Sequence, residues 1–112
     1  MNTLEEKLEG YYGTESYHRL TLTPILATDG VVAFATMGNA FWAVSDMCIE
    51  AMFLKEEFLS ITITSTGKKA DIVYTDGNDN IIKKKHYAHT DLEKGTYKFY
   101  ITNNVILLPS EY

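Results

Sequence analysis

Cysteine is nearly absent from this chain: Cys48 is the single one in 112 residues. That excludes an internal disulfide framework and any zinc site built from several thiolates. Long apolar runs are also missing, so no segment spans a bilayer and no membrane partner is expected. Positive charge is scarce. Ten Lys and Arg face fifteen Asp and Glu, for a formal net charge of -5, which argues against direct binding of nucleic acid through its phosphates. The chain shows no internal repeat, linker or low-complexity tract. Its first residues are acidic and lack the basic start and apolar middle of a signal peptide, so a cytoplasmic location is expected.

What remains is an ordinary globular composition, 46% apolar, in a length that suits one domain, 1–112. Charge is uneven along it. Residues 1–57 carry a net -6 and residues 58–112 a net +1, a dipole able to steer a basic partner. Thr3-Leu4-Glu5-Glu6 is a capping-box pattern and predicts a short helix over 4–9, stopped by Gly10. Tyr17 to Thr23 alternates like a half-buried strand, closed by Pro24. Thr28-Asp29-Gly30 reads as a helix start with Asp29 as N-cap, followed by a short apolar helix to Met37. The spacing of Phe41, Val44, Cys48 and Met52 predicts a longer helix over 40–54, apolar around most of its girth, with Asp46 and Glu50 as its polar stripe. Trp42 is expected in the core against a sheet.

From Phe58 onward the period changes to two. Strands are predicted over 58–64, 71–75, 80–87, 97–102 and 105–108, with a hairpin at Asp76-Gly77-Asn78-Asp79 and a stop at Pro109. The expected fold class is α+β: N-terminal helices, including the long apolar one over about 40–54, packed on an antiparallel meander of four to five strands. That helix has more apolar surface than one sheet face covers, so a homodimer is expected, through the uncovered side of the helix or an unpaired strand edge.

Several stretches, taken together, resemble a known family. They are Gly13-Thr14-Glu15-Ser16-Tyr17-His18-Arg19, Thr28-Asp29-Gly30-Val31, Ala40-Phe41-Trp42, Asp76-Gly77-Asn78 and the ending Leu108-Pro109-Ser110-Glu111-Tyr112. In order and spacing they are similar to a domain-of-unknown-function family of short bacterial, phage and mobile-element proteins, from about residue 10 to the end. Ala27 departs from the tyrosine often found there, and Ala43-Val44-Ser45 replaces a more leucine-rich run. The resemblance implies no reaction and hands over no catalytic residue. It does imply a mobile-element setting in a bacterial host cell, where small proteins often bind and inhibit host defence proteins, including those of CRISPR systems.

The candidate chemistry is thin. Glu15, His18 and Arg19 lie close together, and Asp29 is a possible neighbour. A histidine with a carboxylate can do general acid–base work, but no nucleophile is nearby, and a Glu15–Arg19 ion pair at a strand end is the plainer reading. His86, His89 and Asp91 contain metal-capable atoms at a spacing that splits the histidines between strand faces. Asp76 to Asn80 begins like a calcium loop, yet Ile81 and Tyr87 stand where its glycine and glutamate belong. Cys48 reads as an inert buried thiol. Lys83-Lys84-Lys85 reads as a solvated edge strand, its cations alternating between faces. No catalytic residue, metal or cofactor is expected.

These readings converge on a small acidic, non-enzymatic binding protein, an inhibitor of a host defence protein of the anti-CRISPR type. Glu5, Glu9, Glu56, Glu57, Tyr11 and Tyr12 are its candidate contact residues, and a nuclease with a basic groove is the expected partner. Two alternatives stay open: a small enzyme using Glu15, His18 and Arg19, or a self-assembling protein with no outside partner.

Overall fold

The computed structural model describes residues 3–112. In chain order it has helix α1 (Leu4–Leu8), strands β1 (Tyr17–His18) and β2 (Leu26–Thr28), and helices α2 (Asp29–Met37) and α3 (Phe41–Leu54). Strands β3 (Phe58–Ser65), β4 (Ala70–Thr75), β5 (Ile81–Tyr87), β6 (Gly95–Thr102) and β7 (Val105–Leu107) follow, then a 3-10 turn at Pro109–Glu111. The capping box forms at α1: Thr3 Oγ1 accepts from the Glu6 amide at 3.2 Å, and Glu6 reaches back to the Thr3 amide.

All seven strands join one sheet in the order β1-β2-β7-β6-β3-β4-β5. β2 and β7 run parallel, and the other pairs are antiparallel. Register places Ile61 beside Tyr74 and Phe99, and Ile63 beside Ile72 and Tyr97. These residues share one buried face of the sheet, as period-two alternation requires. Phe34 of α2 packs on that face, with ring centroids 4.8 Å from Phe99 and 5.4 Å from Tyr97. On the opposite face, Phe58, Tyr100 and Tyr112 form an aromatic trio at one end.

The expected architecture is thereby corrected. The sheet is mixed and seven-stranded, where an antiparallel meander of four to five strands was expected. Two strands precede α2, so helices do not all come first. A long apolar helix is absent among the described residues: α3, at fourteen residues, is the longest, and its covered side carries two carboxylates. The physical reasons are simple. β2 has three residues, too few to show a period, and Leu26-Ala27-Thr28 gains strand structure by pairing with β1 and with residues 105 and 106, while the strand expected over 17–23 shortens to Tyr17–His18. Asp29 is the first residue of α2, with Thr28 as N-cap and no side-chain cap bond.

Candidate functional site

Helix α3 is apolar on its buried arc and carries large apolar side chains on its solvent side as well. Its buried arc contains Ala43, Val44, Met47 and Cys48, and also Glu50. Its solvent arc contains Phe41 at 48% exposure, Ile49 at 47%, Met52 at 44% and Phe53 at 77%. Phe41, Ser45, Ile49 and Phe53 recur every fourth residue, one ridge along the helix.

The reason lies in β5. Lys83, Lys85 and Tyr87 alternate onto the helix side of this edge strand, opposite Tyr74, Ile72 and Ala70 of β4. Lys85 Nζ is 2.7 Å from Asp46 Oδ1 and 3.3 Å from Glu50 Oε1, and Lys83 Nζ is 2.8 Å from Glu50 Oε2. The Tyr87 hydroxyl donates to Asp46 Oδ2. The spacing suits the pairing. Residues i and i+4 on a helix rise about 6 Å, and residues i and i+2 on a strand about 6.6 Å, so two carboxylates meet two ammoniums almost in step. The Lys83 hydrogen bond, with help from Lys85 and against burial, holds the Glu50 carboxyl below its ordinary 4.5. Burial pulls the Lys85 ammonium down, but Asp46 and Glu50 outweigh it and leave Lys85 above its ordinary value. Burial and then Asp46 push the Tyr87 phenol up to about 12.

The lysine run is thus an edge strand as expected, but it is not solvated on both faces: Lys83 and Lys85 anchor α3. Trp42 is half-buried at the flank of the helix, edge-on to Tyr87 at 5.1 Å, and does not lie in the core under the sheet. Cys48 is fully buried, and desolvation pushes its thiol up to about 11.

A second cluster forms where α2 begins. Asp29 Oδ1 meets His18 Nε2 at 2.9 Å, Asp29 Oδ2 accepts from the Glu15 amide at 3.0 Å, and the Asp29 amide donates to Thr14 Oγ1 at 3.0 Å. The Glu15 amide and then His18 lower the Asp29 carboxyl below its usual range. Across α2, Glu111 takes hydrogen bonds from Thr28 Oγ1 at 2.6 Å and from the amides of Gly30 at 2.9 Å and Leu108 at 3.0 Å. A Cβ on Gly30 would sit 2.6 Å from Glu111 Oε1. Three of the short stretches that carry the resemblance therefore meet in one hydrogen-bonded joint between α2, β2 and the C-terminal turn. The expected Glu15–Arg19 ion pair does not form, and His18 takes the carboxylate of Asp29 instead. Nothing in the joint resembles an activated nucleophile with its base.

The acidic and tyrosine candidates scatter. Glu5, Glu9 and Tyr12 line a largely apolar groove of about 410 Å³ between α1, β6 and Pro109. Within it Glu5 already accepts from the Thr96 amide at 3.0 Å. Tyr11 lies beside His18 and Asp29 in a neighbouring hollow. Glu56 and Glu57 follow the C-terminus of α3, exposed and away from that groove. His86 Nδ1 pairs with Asp71 Oδ1 at 2.7 Å, and no group of three potential metal ligands occurs among the described residues. No helix there is long and apolar enough to cross a membrane.

Residues 2–112 match a family described as a family of unknown function, DUF6876. The chain belongs to DUF6876. No curated protein and no solved structure matches it. Membership of DUF6876 assigns no activity, so the geometry of α3 and of the α2 joint has to carry the functional reading.

Proposed function

We propose that this protein is a non-enzymatic binding module that acts by laying the outer ridge of α3 on another protein surface. One observation carries the reading. Beyond the apolar arc that seats it on the core, α3 ties both of its carboxylates to lysines of β5 and leaves Phe41, Ile49, Met52 and Phe53 substantially in water. Exposed apolar residues are common one at a time, but a contiguous row on a small domain marks a contact surface. Charge supports the reading less. Asp46 and Glu50 are neutralised by lysines, and Asp29 faces His18. Three of the nine acids of the first half are therefore paired within the molecule, and the six that stay exposed lie in separate places along the chain. An inhibitor of a host defence protein in a mobile-element setting stays compatible with the apolar surface and draws its support from the resemblance alone.

The test compares immobilised wild-type, Phe53→Lys and His18→Ala chains in a lysate of cells that carry the protein. A protein retained by wild type and His18→Ala but lost by Phe53→Lys supports the reading. Retention that ignores Phe53 and depends on His18 overturns it.

A further inference from the structure

We infer that the outer ridge of α3 receives a second copy of this chain, packed antiparallel; the inference rests on the reading of that ridge as a contact surface and names its occupant. The ridge is self-complementary in spacing. Phe41, Ser45, Ile49 and Phe53 are equally spaced about a midpoint at residue 47. A two-fold axis there places Phe41 against Phe53 of the partner subunit and Ser45 against Ile49 of the partner subunit. Large meets large at the ends, and small meets large in the middle. Rows of i, i+4 residues pack into the grooves beside the matching rows of a neighbouring helix at a crossing angle of about 50°, and this row runs nearly the whole length of the fourteen-residue helix.

Area points the same way. With 150–250 Å² for a full aromatic side chain, the exposed parts of Phe41, Ile49, Met52 and Phe53 come to roughly 400 Å² of apolar surface. At the apolar share of about 65% found in homodimers, that implies roughly 600 Å² per copy. Two copies then bury about 1,200 Å², the lower edge of a specific interface. The dimer should be reversible and concentration-dependent.

Electrostatics decides which face a chain of net charge -5 can offer to its own copy. The ridge carries no ionisable side chain, and the two carboxylates of α3 are tied to Lys83 and Lys85. The antiparallel arrangement also brings Glu56 and Glu57 of the partner subunit to the N-terminal end of α3. There Ala40 supplies no side-chain cap, and a carboxylate is favoured by the helix dipole.

Cysteine cross-linking separates this pairing from others. Phe41→Cys and Phe53→Cys chains are mixed and oxidised, and each is also oxidised alone. Antiparallel pairing joins Cys at 41 to Cys at 53 in the mixture. It keeps like positions about 18 Å apart, twelve residues at 1.5 Å each, so neither chain alone cross-links. Native Cys48 is fully buried and stays out of the reaction. Sedimentation of the unmodified chain should show mass moving from 12.7 kDa towards twice that value as concentration rises, and Phe53→Lys should abolish the shift. Cross-linking of each chain alone, with no 41–53 product in the mixture, would indicate parallel pairing and overturn the proposal. So would a mass fixed at 12.7 kDa into the high micromolar range. Retention of some other protein through Phe53 would then show that the contact surface stands while its occupant is different, so the two claims fail separately.

Discussion

Helices α2 and α3 follow one another in the chain and differ in how much of their apolar bulk they leave in solvent. α2 buries Val31, Ala33, Phe34 and Ala35 and leaves Thr36 exposed. α3 buries Glu50, half-buries Asp46 and exposes two phenylalanines. The difference comes from what lies beneath each helix. Under α2 are the rings of Tyr97 and Phe99, with the Tyr97 hydroxyl turned to the Glu93 carbonyl. Under one flank of α3 is an edge strand bearing two lysines and a tyrosine. Ala43, Val44, Met47 and Cys48 seat α3 on the core, the ion pairs fix its flank to β5, and the outer ridge is left substantially in solvent. Periodicity locates a helix, while the strand beneath it decides which way the helix faces.

The sharpest break of this contrast is Phe34→Ala. Phe34 is fully buried between two rings, and its truncation should cost about 3–5 kcal/mol, read as a large fall in the urea midpoint. Gly30→Ala tests the other anchorage of α2. The added Cβ would meet Glu111 and Leu108 at 2.6 Å, for a loss of about 1–3 kcal/mol by the same measurement. Both would act through α2 and leave the face of α3 unchanged.

Breaking the α3 anchorage should have a smaller effect. Glu50→Gln leaves Lys83 and Lys85 short of one charge at a site between exposed and buried, so about 1–2 kcal/mol is expected. It also has a pH signature. The Glu50 carboxyl is held below 4.5 by the Lys83 hydrogen bond and by Lys85. A carboxyl depressed by folding adds stability that is present above its unfolded value and lost as pH falls through its folded value. Wild type should therefore lose stability below about pH 4.5, and Glu50→Gln should lose less over the same range in acid titrations followed by circular dichroism. Equal acid slopes would show that the carboxylate does not hold the helix.

The smallest effect on folding is expected on the outer ridge. Phe53 is 77% exposed, and a lysine in the last helical turn complements the dipole. Phe53→Lys should therefore shift the stability of the monomer by no more than about 0.5 kcal/mol.

Legibility in the sequence followed the same physics. Long strands such as Phe58–Ser65 announce themselves by alternation, and the α1 cap by its Thr-x-x-Glu spacing. β2 is too short to do so, and its place in the sheet depends on a parallel pairing with β7 about eighty positions away. The role of Lys83 and Lys85 was in principle readable. Two acids one helical turn apart and two lysines two strand residues apart are matched rulers, but nothing local says that helix and strand lie together. Glu111 was visible as part of an ending motif and not as the clasp over Gly30, since a carboxylate eighty-one residues away gives no local pattern.

The most direct test of the role given to the α3 ridge is the concentration dependence of thermal unfolding. Association through the native state raises the midpoint by mass action. Wild type should melt a few degrees higher across about a hundredfold rise in concentration, while Phe53→Lys, with the same midpoint when dilute, should show no rise. A wild-type midpoint independent of concentration, or a rise that Phe53→Lys keeps in full, would contradict the assignment of the α3 ridge to a second copy.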